Sequence, residues 1–320
     1  MAPSPQESVV EQPQQTIPRG LTGEECVITG MSGLFPMSDS VLEFKENLYN
    51  GVDMVTNENI RWDIDHPEIP KHFGMITGVD RFDAQFFKVH YKQALIMDPM
   101  SRKLLEHAYT AIFDAGVNPL ELRGKKIGVF IGAAFSESEK LVIYESIQRN
   151  GFGITGCNKA MYANRISYWL DSTGPSYALD VACSSSMACL EHAYKSISSG
   201  LCEAAIVGGC NLCMHPNVAL NMRKYGFLCL DGKTKCFDKH GDGSVRADAI
   251  SILFLQKAKD AKRIYSEVYH AKSSYCKNMQ GQFLPMRQPQ EVQEFLEDFY
   301  KETDVSPRDV EYIEANASGK

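Results

Sequence analysis

The chain has 320 residues, of which 44% are hydrophobic and 23% are charged, and its formal net charge is -7. This composition is typical of a globular protein with one large core or two smaller ones, and it excludes a chain that is disordered as a whole. Because the 33 basic residues form no run or stripe, nucleic acid is not an expected partner.

The sequence also lacks the marks of a membrane or secreted protein. No stretch reaches the roughly 18 consecutive apolar residues of a membrane span, and the start MAPSPQESVVEQPQQ lacks the basic and apolar regions of a signal peptide. We therefore expect a cytoplasmic protein with no membrane partner, whose ten cysteines form no disulfides. Cys210 and Cys213 form the only C-x-x-C pair, and without a second pair no metal site is predicted.

Helix and strand patterns alternate along the chain. Residues 1–22, with four prolines and four glutamines, are predicted to be a flexible leader. An apolar run predicts a strand at 26–30, and helical spacing predicts helices over 41–48 and 99–115. Later patterns predict strands at 127–132, 176–182, 204–209 and 250–255, a helix after 183 that ends at Gly200, a helix over 291–300 and a strand at 310–314.

Near-continuous apolar strands separated by helices predict an α/β layered fold with both faces of the sheet covered. Beyond the leader, we expect a first unit over 23–257 and the start of a second over 258–320. A domain rarely ends on a strand followed by Ala-Ser-Gly, so we expect the second unit to be truncated.

Cys183 is the cysteine that local sequence singles out. A strand pattern precedes it, and Met187, Leu190, Tyr194 and Ile197 mark one helix face after it. At a strand-to-helix junction, unpaired N–H groups and the helix dipole favour a thiolate, and the small neighbours leave room for a substrate carbonyl. A buried structural cysteine is the other interpretation, which the residues alone leave open and which is favoured for the remaining cysteines.

Seven ordered motifs extend beyond this junction. They are VITGMSGLFP, GVDMV, FDAQFF, MDPMSRKLLEHAYTAIFDAG, MYANRISYWLDSTGPSYALDVACSSS, KCFDKHGDGSVRADA and EYIEANASGK. Over about residues 24–320 the chain resembles the β-ketoacyl synthase domain that opens animal fatty acid synthases, most closely the insect type.

The resemblance implies a thiolase-like fold (αβαβα) of two similar α/β halves, with the first half complete, the second half begun, and a homodimer formed through the first. It implies that Cys183 accepts an acyl group from phosphopantetheine on acyl carrier protein, with its backbone N–H helping to hold the oxyanion. Malonyl carrier protein then loses CO₂, and the carbanion attacks the Cys-bound acyl thioester. No tightly bound cofactor is implied, and the expected partners are acyl carrier protein and the other domains of a multifunctional fatty acid synthase.

Two segments depart from the family pattern. Asn316 stands where the family has the first catalytic histidine, and an amide side chain cannot act as a general acid or base near neutral pH. Ala247 and Ala249 stand where the family has glycines, which indicates either a reshaped site or a tolerated loop variation, the second being favoured. We therefore expect acyl loading on Cys183 to survive while condensation is in doubt, and the alternative function is a catalytically impaired, dimerising scaffold.

Several other residues are ambiguous at this stage. Met214, Met222 and Phe227 either line an acyl tunnel or pack in the core. Asp98 either pairs with Arg102 to orient an active-site loop or caps the following helix. For Gly208 and Gly209, a tight turn after a strand is favoured over close approach to a ligand.

Overall fold

The structure is a computed structural model that describes residues 20–58, 61–64, 66–145, 151–275 and 289–319. The predicted leader therefore lies outside the described residues except for its last three. Within the described ranges, no helix is long and apolar enough to cross a membrane.

A mixed sheet occupies the middle of the molecule. Among the described residues its six strands are β1 (Cys26–Leu34), β3 (Ile127–Gly132), β4 (Ser176–Leu179), β5 (Ala204–Asn211), β7 (Ala249–Lys257) and β8 (Ser266–Glu267). Their order is β4-β3-β5-β7-β1-β8. β3 runs parallel to β4 and β5, whereas β7 is antiparallel to β5 and β1. A separate short pair joins β2 (Phe73–Gly74) to β6 (Arg246–Ala247).

Helices cover both faces of this sheet. The longer ones are α3 (Pro99–Asp114), α6 (Ala160–Leu170) and α7 (Ser185–Ser198). Shorter ones are α1 (Val41–Tyr49), α2 (Tyr91–Ile96), α4 (Glu137–Lys140), α5 (Gly153–Cys157) and α8 (Pro216–Lys224). α4 continues into a π-helical turn at Leu141–Glu145, and α9 (Pro289–Lys301) begins the last described range. Since strand residues alternate between faces, Val129 and Ile131 pack in the same cluster as α3 and α6, while Phe130 packs with α7.

Most strand and helix predictions agree with the structure in type and approximate position, although the strand predicted over 176–182 ends at Leu179. The predicted strand at 127–132 coincides with β3, and β1, β5 and β7 each extend a few residues beyond the predicted runs. The helix predicted over 99–115 is α3, whose buried Leu104, Leu105, Ala108 and Ile112 form the expected apolar face. The near-continuous apolar strands are therefore interior strands covered on both sides, as predicted.

The prediction of a strand at 310–314 was wrong. A strand forms only by pairing, and within the described part of the chain no strand pairs with this segment. Tyr312 and Ile313 are instead both 77% exposed.

The favoured interpretation of Gly208 and Gly209 as a turn was also wrong, because both lie inside β5 and are paired on each side. Ala247 and Ala249 lie in β6 and β7 with ordinary backbone angles, so they are strand residues rather than members of a glycine-dependent loop. The tolerated variation is the interpretation that fits this placement.

Candidate active site

Cys183 lies in the five-residue connection between β4, which ends at Leu179, and α7, which begins at Ser185. Ala182, immediately before it, has φ of +53°, in the left-handed region that alanine rarely adopts. The N–H of Ser184 donates to the carbonyl of Val181 at 3.3 Å, and the N–H of Ser185 donates to the carbonyl of Ala182 at 3.1 Å. The chain therefore makes a sharp, strained elbow that leaves Cys183 exposed at its tip.

The first residue of α7 holds the helix side of this elbow. The buried Ser185 hydroxyl donates to the carbonyl of Ala182 at 2.6 Å and accepts from the N–H of Val181 at 3.0 Å. Below it, α7 lies so close to the sheet that a Cβ on Gly132 would come within 2.6 Å of the Ser186 backbone nitrogen. Glycine in the strands thus lets the helix N-terminus approach, and the helix fixes the elbow.

Exposure separates Cys183 from most other thiols. Among the nine described cysteines, only Cys183 and Cys236 are exposed. Burial raises the pKa of Cys189 to about 12 and that of Cys202 to about 11, so these remain protonated core thiols near neutral pH. The predicted core-packing role fits the buried cysteines but was wrong for Cys236, which is exposed. Of the two exposed thiols, only that of Cys183 lies at a helix N-terminus.

The segment that carries Asn316 packs against the loop between α8 and β6. The Cys236 thiol donates to the carbonyl of Ala317 at 2.9 Å, and the N–H of Gly243 donates to the carbonyl of Gly319 at 3.1 Å. Asn316 itself is exposed, and its side chain makes no hydrogen bond to any residue the structure describes. Its amide is therefore free of competing contacts, and no hydrogen bond joins it to Cys183 within the described ranges.

Two buried carboxylates, which sequence reasoning missed, hold the backbone that follows β5. Glu137 accepts the N–H groups of Met214 and His215, each at 2.7 Å, and pairs with Arg246. Its side chain is only 1% exposed. Three segments distant in sequence thus meet at one carboxylate.

The second carboxylate is Asp248, the acidic residue between the two alanines noted above. It accepts the N–H of Cys213 at 2.6 Å and that of Ile76 at 3.0 Å, and it pairs with Arg61 at 2.7 Å. An acid at the start of an apolar strand run was the available signal, since a buried carboxylate needs such partners.

The three residues predicted to line an acyl tunnel lie in two different apolar clusters. Met214 packs against the large core on the α3 side, and its sulfur accepts from an Arg61 nitrogen at 3.2 Å. Met222 and Phe227 pack instead against a small cluster around Phe73. Their role toward an acyl chain stays a prediction.

Asp98 is a helix cap rather than the partner of Arg102. One carboxylate oxygen accepts the N–H of Met100 at 2.7 Å, whereas a guanidinium nitrogen of Arg102 donates to the carbonyl of Val79. The other Asp98 oxygen accepts three hydroxyl groups, from Ser136, Ser138 and Tyr162, at 2.6–2.8 Å. Asp98 therefore also holds the loop after β3. It thus orients a loop, as the other interpretation expected, but without pairing with Arg102.

A large cavity lies away from this site. It has a volume of about 1100 Å³, is formed beside α3 and α6, and is lined by aromatic residues such as Phe113 and Trp169. Its lining does not include Cys183 or Asn316. Within the described residues, no three His, Cys, Asp or Glu side chains are grouped so as to hold a metal ion.

The family of the chain is shown by its similarity to known proteins. Residues 23–261 match the family model described as the N-terminal domain of β-ketoacyl synthase. The chain belongs to the β-ketoacyl synthase family. This ketosynthase is 43% identical over 297 residues to a fatty acid synthase from the goose Anser anser anser, a match that covers 92% of the chain and 84% of that sequence. It is 32% identical over 339 residues to polyketide synthase PksM from Bacillus subtilis, covering 99% of the chain but 8% of that protein.

Solved ketosynthases share the fold. A ketosynthase from module 6 of the Bacillus subtilis bacillaene synthase superimposes with a TM-score of 0.81 at 28% identity, and an oxazolomycin ketosynthase domain from Streptomyces albus with 0.83 at 30%. Each match covers 92% of this chain, which spans about half of the solved chains, 51% and 53%. The ketosynthase fold is thus thiolase-like, as the resemblance implied, whereas the insect-type assignment stays a prediction.

Proposed function

We propose that this chain supplies the acyl-accepting part of a β-ketoacyl-acyl-carrier-protein synthase of cytoplasmic fatty acid biosynthesis, with Cys183 as the nucleophile. The observation that carries the proposal is the exposed thiol on a strained elbow at the start of α7. The relative with the highest identity given above, a fatty acid synthase, supports fatty acid over polyketide chemistry.

In the first half-reaction the Cys183 thiolate attacks the acyl thioester on the phosphopantetheine arm of acyl carrier protein. The C–S bond to the arm breaks, the acyl group becomes a Cys183 thioester, and the arm leaves as a thiolate that takes up a proton equivalent to the one Cys183 lost on ionising. Backbone N–H groups at the start of a helix are suited to hold the negative oxygen that forms in the tetrahedral intermediate, a contribution of roughly 10²–10³ in rate per donor.

In the second half-reaction malonyl carrier protein loses CO₂, and the electron pair left on its α-carbon attacks the acyl carbonyl. The bond to sulfur breaks, which regenerates the Cys183 thiolate and yields a β-ketoacyl carrier protein. Asn316 can donate a hydrogen bond to the malonyl thioester oxygen but cannot carry a proton. Asn316, in place of the family's histidine, therefore affects this half-reaction more than the first.

Acyl transfer is tested by incubating the full-length protein with an acyl-carrier-protein thioester and mapping the modified residue by mass spectrometry. We expect a single adduct on Cys183 that is absent from Cys183→Ala. The matched control is Cys236→Ala, which removes the other exposed described thiol and should leave the adduct unchanged. Acylation that persists in Cys183→Ala would contradict the proposal.

The alternative is a non-catalytic scaffold, and Asn316 is the residue that favours it. Release of CO₂ from malonyl carrier protein distinguishes the two functions, because a scaffold acylates and decarboxylates no faster than the Cys183→Ala protein. Loading without decarboxylation would assign the chain the first half-reaction alone.

We also propose that two copies pair through β4, which lies at one edge of the six-stranded sheet formed by the described residues. The carbonyls of Pro175 and Leu179 accept N–H groups from Val129 and from Ala133, the residue after β3, so the alternating residues Ser176 and Ala178 direct their N–H groups away from β3. An edge of this kind is a template for strand addition. Ala178→Pro removes one outward N–H without touching the β3 ladder, and we expect it to shift sedimentation from dimer toward monomer. A wild-type monomer, or an unaltered dimer in Ala178→Pro, would exclude pairing through β4.

A further inference from the structure

Lys159 and Asp180 form an ion pair beside the nucleophile elbow. The Lys159 ammonium lies 2.5 Å from one carboxylate oxygen of Asp180 and donates to the carbonyl of Ala134 at 2.9 Å. The other Asp180 oxygen accepts the N–H of Ala182 at 3.3 Å. One continuous chain of contacts therefore runs from the loop after β3, through Lys159 and Asp180, to the residue before Cys183.

This chain of contacts acts where the backbone is strained. Ala182 has φ of +53°, a strained conformation for a non-glycine residue that persists only where neighbours enforce it. Ser185 enforces it from the helix side through the Ala182 carbonyl. Asp180 contacts the N–H of the same residue from the strand side, so the two peptide groups that flank Ala182 are each held by a side chain.

Lys159 in turn holds Asp180. Its hydrogen bond lowers the pKa of the Asp180 carboxyl, which keeps that group charged as an acceptor for the Ala182 N–H. The Lys159 side chain is 33% exposed and that of Asp180 is 47% exposed. Ion pairs at this exposure add little to overall stability, so their loss should be visible in the geometry of the elbow more than in the melting temperature.

We propose that Lys159 and Asp180 are positioning residues that hold Cys183 in its attacking position by fixing the left-handed turn at Ala182. This inference rests on the proposed function, since it assigns the pair a part in acyl transfer to Cys183. Neither side chain is required to touch the acyl group, so the pair acts on the rate of attack rather than on binding of the donor.

The test is the steady-state rate at which the full-length protein transfers an acyl group from acyl carrier protein through Cys183 to free pantetheine, an acceptor thiol that releases the acyl group and so gives turnover without condensation. We expect Lys159→Met and Asp180→Asn each to lower kcat roughly 10- to 100-fold with little change in KM, because a misplacement of about 1 Å can cost 10²-fold. Lys159→Arg, which keeps the charge and the donors, should recover most of the lost rate. The matched control is Lys257→Met, which breaks a similarly exposed ion pair to Glu24 at 2.6 Å and should leave kcat unchanged.

The outcomes distinguish failure of the positioning role of Lys159 and Asp180 from failure of the proposed acylation of Cys183. Wild-type kcat in Lys159→Met, or a loss in Lys159→Arg as large as in Lys159→Met, would overturn the positioning role while Cys183 acylation stands. A variant that fails to fold, measured by its melting temperature, would also overturn it, because the pair would then support the fold rather than the elbow. A wild-type protein that is not acylated on Cys183 would remove the proposed function and the positioning role together.

Discussion

Replacing Glu137 with glutamine should destabilise the protein because it leaves a buried cation without its counter-charge. Glu137 is the carboxylate that faces Arg246, and the two side chains are 1% and 6% exposed. Glutamine has nearly the same shape, so one oxygen can still accept the N–H groups of Met214 and His215. Its amide group then faces the Arg246 guanidinium, which places donor against donor.

The magnitude follows from this burial. Breaking a buried ion pair by removing one partner costs about 3–5 kcal/mol, a large share of the roughly 5–15 kcal/mol that stabilises a typical folded protein. One Arg246 nitrogen already has no hydrogen-bond partner among the described residues, so the guanidinium has little capacity to compensate. At about 2–4 °C per kcal/mol for domains of 150–250 residues, Glu137→Gln should lower the melting temperature by roughly 6 °C or more.

A second variant separates charge from packing. Glu137→Gln/Arg246→Met removes the cation while the glutamine oxygen still serves Met214 and His215, so we expect the double variant to melt above Glu137→Gln alone. Glu24→Ala, which removes an exposed carboxylate between two lysines, is the control and should leave the melting temperature unchanged. Calorimetry that shows Glu137→Gln within about 1 °C of wild type, or the double variant melting below it, would refute the reasoning.

Three further outcomes follow from the structure. Ala182→Gly should retain or slightly raise the melting temperature because glycine adopts positive φ freely, whereas Ala182→Val should lower it; the reverse order would contradict the strained elbow. Burial, with a smaller contribution from Lys103, lowers the pKa of His107 from 6.5 to about 4. Below pH 6.5 the unfolded chain therefore binds a proton that the folded chain does not, and the free energy of unfolding should fall by about 3 kcal/mol as the pH drops from 6.5 to 4. Chemical denaturation at several pH values should show a smaller fall for His107→Gln than for the wild type. Asn316→His should raise malonyl decarboxylation by about 10²–10⁴-fold, and an unchanged CO₂ release would show that the amide does not limit this step.

Much of the fold could be predicted because buried strands and helix faces need apolar residues at a regular spacing. β3 was predicted to the residue, since Ile127–Gly132 is apolar throughout and is covered on both faces. α3 was predicted because its apolar spacing and the Asp98-Pro99 start are local signals. The segment at 310–314 carried a strand-like pattern, but the described part of the chain offers it no partner strand, and pairing depends on the rest of the molecule rather than on the segment.

The site was predictable only in its local part. Cys183 could be found because the strand, the small residues and the helix that create the elbow are adjacent in sequence. Glu137, Asp248 and Lys159 could not, because each acts through backbone groups or side chains that are distant along the chain; Glu137 and Met214, for example, are 77 positions apart. Gly208 and Gly209 were misplaced for a related reason: their small size serves the packing of Ile252 and Ser186 against β5, contacts that no local pattern encodes.

The two halves of the proposed reaction depend on separate parts of the structure. Acyl loading needs the Cys183 elbow, which is held by Ser185 and by Asp180, and none of these contacts involves the segment that carries Asn316. That segment is held through the carbonyls of Ala317 and Gly319, so exchanging the side chain at 316 alters chemistry without moving its backbone. A general acid or base is worth about 10²–10⁴ in rate, which an amide cannot supply. The ratio of loading to decarboxylation, measured on one preparation, therefore reports the effect of Asn316 more directly than overall condensation does.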